Sequence, residues 1–240
     1  MSSERYYADV ALQEGAYVTL SDNERHHLVH VMRTRPGEQV ELVNGQGELA
    51  QAQLVQIDKS KVQLKIINVI TAQLPVRTLI LAQAFVRPNR LEVIIEKGTE
   101  LGVTDFWLFP GEKSEKGEYS DNQLKRLHLL MIAAMKQCDR LDLPTITIKP
   151  PIKLWPPLNG LSFFGHLAPQ APALWQICSA PQAKSSSIMF VTGPESGFSE
   201  HEEEMLKNLG VQGVKLHTNI LRTETASIVA LALLSQCLLQ

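Results

Sequence analysis

The first part of the chain alternates apolar and polar residues, which is the pattern of β-strands that bury one face. The alternation is clear in four segments, at residues 16–20, 39–43, 48–57 and 61–70. The second and third segments are separated by the sequence NGQG, which is typical of a hairpin turn. Together these strands predict a small barrel-like module at the start of the chain.

One helix is predicted inside this module. It begins at Ser21, which forms the sequence of a capping box with Glu24, and it ends at Pro36 and Gly37. Both signals are local, so they predict where the helix lies and not what it packs against.

The pattern changes after the polar, proline-containing segment 71–77, which is typical of a linker. From there strands and helices alternate, as they do in α/β domains around a largely parallel sheet. We therefore expect a first domain at residues 1–73 and a second at 74–240. The expected strands of the second domain are at 78–86, 103–109, 145–149, 161–168, 187–193 and 214–217. Its expected helices are at 90–102, 121–138, 199–210 and 225–239. The last helix is apolar nearly all round, so we expect it to be buried against the sheet or against a second subunit.

Charge alone does not indicate a class of partner. Lys and Arg number 23 against 25 acidic residues, which gives a formal net charge of −2. Residues 25–37 contain three arginines, three histidines and no acid, which predicts either a basic binding face or an ordinary solvated helix face. These histidines are not part of an HExxH motif, and no carboxylate follows them at the sequence spacing of metal ligands, so we expect no metal site.

The cysteines and the apolar runs bear on the compartment. Cys138, Cys178 and Cys237 are odd in number and form no CxxC pair, which argues against a disulfide framework and against a zinc finger. The first residues lack the apolar core of a signal peptide, and no run reaches about 18 apolar residues. We expect a cytoplasmic protein that does not span a membrane.

Three predicted strand ends carry distinctive loops: GHLAP at 165–169, TGPESGF at 192–198 and HTNILRTETA at 217–226. Ligands of open parallel sheets bind at the carboxyl ends of the strands. The middle loop has neither a GxxxxGK[ST] nor a GxGxxG pattern, and no Lys follows Gly197, so we do not expect it to bind a polyphosphate. Pro194 fixes one backbone angle of this loop, and Ser199 with Glu202 forms the sequence of a capping box, so we expect a stiff loop. A stiff loop suits a flat, uncharged group such as an adenine, or it is a structural turn between strand and helix.

The third loop places charged residues directly before the last apolar helix. A structural role explains two of its residues, because Thr223 is able to cap the helix and Glu224 interacts favourably with the helix dipole. A structural role does not explain Arg222. This residue therefore indicates that the loop belongs to a functional site.

These segments resemble, over almost the whole chain, the RsmE-type methyltransferases, which methylate N3 of a uridine in small-subunit ribosomal RNA. The segments that carry the resemblance are RYY at 5–7, HLVHVMRTRPGEQVEL at 27–42, RLEVIIEKGTELGV at 90–103, QCDR at 137–140, GPESGFSEHE at 193–202 and ILRTETA at 220–226. The resemblance implies an α/β protein with an N-terminal PUA-like β-barrel that binds RNA. It also implies a C-terminal trefoil-knot (SPOUT) domain that binds S-adenosylmethionine and forms a homodimer.

The resemblance further implies a reaction and a set of site residues. The expected substrate is uridine 1498 of 16S rRNA in the small ribosomal subunit. Arg222 is expected to stabilise negative charge on the uracil oxygens, and Glu224 either to orient Arg222 or to take the proton. The expected contacts of S-adenosylmethionine are Leu167, Gly193, Pro194, Glu195, Gly197, Leu216, Ile220, Leu221, Arg222 and Ala226. The candidates for RNA phosphate contacts are Arg5, Arg33, Arg35, Arg87, Arg90, Lys113 and Arg140.

The sequence departs from the family pattern at Ser196, Glu96, Lys136 and Asp139. Glu96 and Asp139 lie near the expected RNA surface and not at the expected cofactor site. Three other functions stay open. One is a non-catalytic RNA-binding or ribosome-assembly protein of this fold, a second is a SPOUT methyltransferase acting on another RNA position, and the third is a nucleotide-dependent enzyme of the doubly wound type.

Overall fold

The structure is a computed structural model that describes residues 4–74, 76–178 and 187–238 of the 240-residue chain. Its contacts divide the chain into two compact units. The first unit extends to Leu74 and also contains Ile132–Leu143, and the second contains the remainder. The first unit is therefore discontinuous in sequence. The domain boundary expected between residues 73 and 74 stays a proposal.

The first unit is built on a five-stranded sheet, as the period-two pattern predicts. Its strands are β1 Arg5–Tyr7, β2 Tyr17–Ser21, β3 Gln39–Val43, β4 Glu48–Ile57 and β5 Lys61–Thr71. They are arranged in the order β1-β3-β4-β5-β2, with β1 parallel to β3 and the other pairs antiparallel. Successive strand residues point to opposite faces, so every second side chain enters a core that includes Tyr6, Leu42 and Leu64.

A short helix and a π-helical turn follow β2. Helix α1 spans Asp22–His26, and the π-helical turn spans His27–Val31. The capping box predicted for Ser21 is wrong, because the Ser21 side chain makes no cap hydrogen bond. The Glu24 carboxylate instead accepts the backbone N–H of Tyr7 at 3.0 Å and Nζ of Lys136 at 2.5 Å. The Glu24 carboxylate, which the local sequence assigned to the cap, is therefore bonded to residues far from the helix start in the sequence.

The hairpin loop between β3 and β4 pairs with the distant segment 141–143 of the same unit. The N–H of Gly47 donates to the carbonyl of Leu141 at 2.8 Å, and the N–H of Leu143 donates to the carbonyl of Gly45 at 2.9 Å. Gly45 has a φ of +72°, and a Cβ there would lie 2.7 Å from Cβ of Leu143. Only glycine fits this turn without displacing its neighbour.

The second unit is built on a six-stranded sheet, and this confirms the predicted α/β domain. Its strands are β6 Thr78–Ala84, β7 Asp105–Phe109, β8 Thr145–Ile148, β9 Leu161–Gly165, β10 Ser187–Thr192 and β11 Gln212–Val214. They are arranged in the order β11-β9-β10-β6-β7-β8, and all five pairs are parallel. The order is consistent with the trefoil knot that the resemblance implies, whose threading stays a prediction.

Helices connect these strands. They are α2 Pro88–Glu100, α3 Asp121–Gln137, α4 Leu174–Cys178, α5 Glu200–Asn208 and α6 Thr223–Leu238. Gly102 and Gly210 follow α2 and α5 with φ values of +88° and +81°, the left-handed conformation in which glycine commonly ends a helix. Helix α6 packs against α2, α4, β6 and β10 and buries Leu231 and Leu234. Val229 and Leu233 on the same helix stay half-buried, so the sheet covers one side of α6 and not its whole circumference.

Candidate functional site

One cleft of about 460 Å³ lies at the carboxyl ends of the central strands of the second unit. Its walls come from the end of β9, from residues 192–198 after β10, from the chain between Val214 and Leu221, and from the start of α6. This volume falls within the ~300–1,000 Å³ that is typical of small-molecule sites. The structure therefore brings the three loops that the sequence singled out to one place.

The glycine-containing loop after β10 is a compact turn. The N–H of Gly197 donates to the carbonyl of Pro194 at 2.9 Å, and Gly197 has a φ of +71°. A Cβ on Gly193 would lie 3.1 Å from the backbone nitrogen of Phe198. Glycine is thus favoured at one position by conformation and at the other by the close approach of the chain to itself.

The start of α5 fixes the far end of this loop. Ser199 Oγ accepts the N–H of Glu202, and the Glu202 carboxylate accepts the N–H of Ser199, both at 3.0 Å. This reciprocal pair confirms the capping box that the sequence predicts. Glu202 is buried, and its other oxygen accepts the N–H of Glu112 at 3.0 Å. The cap therefore also joins the loop to the chain that follows β7.

Arg90 on α2 connects two of the cleft-forming loops. Its Nη1 donates to both carboxylate oxygens of Glu224 at 2.7 Å, and its Nε lies 3.4 Å from a carboxylate oxygen of Glu195. Glu195 also accepts the backbone N–H of Arg87 at the beginning of α2, at 3.1 Å. The side chains of Arg90 and Glu224 are 27% and 19% exposed. Charge pairs that are partly removed from water in this way hold the glycine-containing loop and the start of α6 together.

The same contacts set the protonation of Glu224. Burial by itself would raise the pKa of this carboxyl, but the hydrogen bonds from its own backbone N–H and from Arg90 lower it, as do the charges of Arg90 and Arg222. The result is a lowered pKa, so Glu224 is ionised at neutral pH. A carboxylate with a lowered pKa is a weak base, and this one already accepts two bonds from Arg90.

A buried polar cluster lies beneath the cleft. Gln83 on β6 is fully buried, and its Nε2 donates to the carbonyls of Ala84 at 3.0 Å and Gly193 at 3.2 Å and to Thr223 Oγ1 at 3.2 Å. Its Oε1 accepts the hydroxyl of Ser227 at 2.9 Å. Thr223 Oγ1 in turn donates to the same Gly193 carbonyl at 2.8 Å. The cluster joins the ends of β6 and β10 to the first turns of α6.

Nine of the ten residues predicted to contact the cofactor line this cleft: Leu167, Gly193, Pro194, Glu195, Gly197, Leu216, Ile220, Leu221 and Ala226. Leu167 and Ile220 are 70% and 81% exposed, so they form an apolar rim. Arg222 does not belong to the described residues that line the cleft, and it is exposed. The assignment of these residues to a cofactor stays a prediction, which the shared cleft makes geometrically consistent.

The sequence did not assign several other residues of the cleft wall to the cofactor. They are Lys113, which was expected to contact RNA, and His166, Phe198, Glu203, His217 and Thr223, among others. His166 directly follows β9, so its position at a strand end was the available signal. Its Nδ1 accepts the N–H of Ala168 at 3.1 Å, and its Nε2 lies 3.5 Å from Glu203. Lys113 comes from a loop with no distinctive pattern, and its Nζ donates to the carbonyl of Phe198 at 2.9 Å.

The seven candidates for RNA contacts fall into two groups in the structure. Five of them bind protein groups: Arg5 pairs with Glu41 and Asp139, Arg87 with Glu115, Arg90 with Glu224, Arg140 with Asp142, and Lys113 donates to Phe198. Arg5 and Arg140 are also largely buried. Arg33 and Arg35 are exposed, and Arg33 has the unusual φ of +58°. These two are therefore the strongest of the predicted phosphate contacts.

Two expected absences concern metals and membranes. Within residues 4–74, 76–178 and 187–238, no group of three or more His, Cys, Asp or Glu side chains is arranged to hold a metal ion. In the same part of the chain, every helix is too short or too polar to cross a bilayer.

Comparison with known proteins agrees with this architecture. A family model described as "RNA methyltransferase domain" matches residues 72–235, and one described as "RNA methyltransferase PUA domain" matches residues 20–67. The chain is 30% identical over 248 residues to the ribosomal RNA small subunit methyltransferase E of Bacillus subtilis, covering 97% of this chain and 96% of that protein. It is 28% identical over 233 residues to the protein of the same name from Mycobacterium bovis, covering 94% and 88% of the two chains.

Solved structures show the same likeness. The crystal structure of a ribosomal RNA small subunit methyltransferase E from Neisseria gonorrhoeae, bound to S-adenosylmethionine, superposes with a TM-score of 0.83 at 28% identity and covers 96% of each chain. A Legionella pneumophila protein in complex with the bound cofactor S-adenosylmethionine gives a TM-score of 0.85 at 26% identity and covers 98% of each chain. The chain belongs to the RsmE family of RNA methyltransferases, with a PUA-like first domain and a SPOUT second domain.

Proposed function

We propose that this chain transfers a methyl group from S-adenosylmethionine to N3 of uridine 1498 in the 16S rRNA of the small ribosomal subunit. The observation that carries the proposal is the single cleft formed by the three loops that hold the family's sequence signatures. The names of the related proteins support small-subunit rRNA as the substrate, and the ligand-bound neighbours support the methyl donor. The particular base and atom rest on the resemblance.

The residues of the cleft fit this methyl donor. The donor carries a sulfonium cation and no phosphate, so its site needs no cluster of cations. Lys113, the lysine in the wall, already donates to the Phe198 carbonyl, and Glu195 and Glu203 supply negative charge. Leu167, Ile220 and the backbone of the glycine-containing loop offer apolar surface and main-chain groups to a flat base. A site for a polyphosphate would show the opposite balance of charge.

The chemistry requires positioning more than activation by a metal. S-adenosylmethionine supplies a methyl carbon that is already electrophilic, because it is bonded to a positively charged sulfur. The protein must present the uracil N3 in line with that carbon, and positioning of this kind is worth up to ~7–11 kcal/mol of the barrier. N3 takes part in base pairing, so the uridine has to be unpaired or flipped when it enters the cleft.

The two predicted catalytic residues receive different roles. The N3 proton passes to water, and negative charge develops on the uracil oxygens, where an exposed guanidinium such as that of Arg222 stabilises it. Glu224 is ionised and bonded to Arg90, so a positioning role suits it better than that of the base. In this proposal Glu224 keeps the loop that carries Arg222 against α2, and its negative charge lies close enough to Arg222 for the two charges to interact.

The remaining parts of the proposal concern partners and location. Arg33 and Arg35, being exposed, are proposed as phosphate contacts of the rRNA. A homodimer formed through the second domain is proposed, with support from the half-buried apolar residues of α6, such as Val229 and Leu233. A cytoplasmic location follows from the substrate. Light scattering of the purified protein tests the dimer, since a monomer at micromolar concentration contradicts it.

The direct test is a methylation assay. The protein is incubated with radiolabelled S-adenosylmethionine and with small-subunit RNA or subunits that lack the modification, and the product nucleoside is identified by mass. We expect 3-methyluridine at a single position. Label in a ribose or in another base would retain the enzyme class and reject the proposed atom. An absence of label despite binding of the donor would support a non-catalytic RNA-binding protein of this fold.

The role of Arg222 is tested by Arg222→Ala. We expect the affinity for S-adenosylmethionine, measured by calorimetry, to stay close to that of the unchanged protein, because Arg222 does not line the cleft. Methylation should fall by about 10²- to 10³-fold, as expected for the loss of one group that stabilises developing charge. Arg126→Ala is the control, since Arg126 is exposed and pairs with Glu92. Equal turnover of the two variants would contradict the assignment of Arg222.

A further inference from the structure

Gln83 is the polar side chain that the apolar pattern of β6 does not explain. It is fully buried in a strand whose neighbours Leu81, Ala82 and Ala84 are also fully buried. A buried amide without partners is costly, so its bonds show what it does. They lead to the cleft wall, since two of its partners, Gly193 and Thr223, line the cleft, whereas Gln83 does not belong to the described wall residues.

The partners fix the orientation of the amide. Nε2 faces two carbonyl oxygens and a hydroxyl, and Oε1 faces the hydroxyl of Ser227, which also lies 3.1 Å from Thr192 Oγ1. A reversed amide would place its oxygen against the carbonyls of Ala84 and Gly193, where neither group is able to donate. The direction of the donor is therefore determined by the surrounding groups.

The bond from Gln83 to the carbonyl of Gly193 connects the amide to a residue that lines the cleft. This carbonyl accepts from Gln83 and from Thr223, so it is turned into the protein and away from the cleft. The next residue is Pro194, which has no N–H and a fixed φ, so the peptide that joins them has little freedom to adapt once its carbonyl is released. The position of the glycine-containing loop thus depends on the two groups that donate to this carbonyl, the amide of Gln83 and the hydroxyl of Thr223.

We propose that Gln83 is a positioning residue for the methyl-donor site, which acts by holding the Gly193 carbonyl, and with it the glycine-containing loop, against the start of α6. This inference rests on the proposed function, because it concerns the donor that the cleft is proposed to bind. Gln83 touches neither the donor nor the RNA. Its contribution is a cleft wall that is already in place before the ligand arrives, which lowers the cost of ordering the loop on binding.

Gln83→Glu tests the inference with almost no change in shape, because it replaces the donating nitrogen by an oxygen that faces two carbonyls. We expect the dissociation constant for S-adenosylmethionine, measured by calorimetry, to rise about tenfold or more, since the Gly193 carbonyl loses one of its two donors. Gln83→Met should give a similar rise by removing the donor. Ser227→Ala, which removes the group that faces Oε1, should give a smaller rise.

Thr99→Val is the matched control. Thr99 is fully buried in α2 of the same unit, and its hydroxyl donates to the carbonyl of Ile95 within that helix. Neither residue belongs to the described residues that line the cleft. We expect it to lower the thermal stability while the affinity for the donor stays within about twofold. If loss of stability alone explained the effect of Gln83→Glu, the two variants would weaken binding in proportion to their loss of stability.

A kinetic readout separates positioning from a general structural role. A displaced wall raises KM for S-adenosylmethionine, whereas KM for the RNA should stay within about twofold, because RNA contacts are proposed elsewhere. Unchanged affinity for the donor in folded Gln83→Glu and Gln83→Met would overturn the inference. If the Glu variant does not fold, the Met and Ser227→Ala variants decide the matter. Failure of the unchanged protein to bind S-adenosylmethionine would instead reject the proposed function itself.

Discussion

Replacing Arg90 by Met should destabilise the second unit, because Arg90 holds two carboxylates that are mostly removed from water. Its side chain is 27% exposed, and those of Glu224 and Glu195 are 19% and 22% exposed. Exposed pairs contribute ~0.2–1 kcal/mol, whereas removing one partner of a fully buried pair costs ~3–5 kcal/mol. A pair that is about four-fifths buried lies between these limits, so we expect a loss of about 2 kcal/mol in the free energy of unfolding.

The pH dependence of this loss gives an independent check. The pKa of Glu224 in the folded protein is below its ordinary value of 4.5. A group with a lowered folded pKa contributes stability that is present above the unfolded value and is lost as the pH falls through the folded one. The difference between the Arg90→Met variant and the unchanged protein should therefore be largest near neutral pH and should shrink as the pH falls below about 4.5.

Urea unfolding followed by tryptophan fluorescence at several pH values measures both effects. Arg126→Met is the control. Arg126 also pairs with a carboxylate, that of Glu92 on α2, but its side chain is 66% exposed. We expect the control to cost clearly less. A loss in Arg90→Met no larger than in Arg126→Met, or one that is independent of pH between 7 and 3, would refute the reasoning from burial.

Three further predictions follow from local contacts. Ser199→Ala should cost about 1 kcal/mol in unfolding free energy because it removes a helix cap, whereas Ser21→Ala, which removes no cap, should be nearly neutral; urea midpoints compare them. Burial raises the pKa of Tyr119 to about 12. The contribution of Tyr119 to the free energy of unfolding should therefore be present below about pH 10 and be lost between pH 10 and 12. The urea midpoint of Tyr119→Phe should change less with pH across that range than the midpoint of the unchanged protein. Arg33→Ala and Arg35→Ala should each reduce the slope of log affinity for rRNA against log salt by about one, and an unchanged slope in filter binding would exclude a phosphate contact.

The fold was accessible from the sequence where the pattern is local and repeated. The long strands β4 and β5 and the helices α2, α3, α5 and α6 follow from periodicity: both ends of β4 are as predicted, and the ends of the other elements differ by at most two residues. The three-residue strand β1 was missed because its pairing with β3 is visible only in three dimensions. The cap at Ser21 failed for a similar reason, since Lys136, which takes the carboxylate of Glu24, is 112 residues away.

The site was predictable in the same uneven way. The glycine-containing loop and the ILRTETA segment are recognisable because their residue types are rare at those positions. Gln83 carries no such signal, since a glutamine in an apolar strand has many explanations and its partners other than Ala84 lie 110 to 144 residues away. Arg90 was assigned to phosphate on residue type alone, and the structure instead shows it bonded to Glu224.

The pairing of the hairpin loop with residues 141–143 bears on how pieces of this protein should be prepared for RNA-binding work. A gene fragment that stops at Leu74 would encode all five strands of the first sheet, yet it would expose the N–H of Gly47 and the carbonyl of Gly45 to solvent. The sharp turn at Gly45 would also lose the leucine against which it is fitted. Weak RNA binding by such a fragment would report a damaged loop, so the full-length chain is the appropriate material for measuring what the amino-terminal strands contribute.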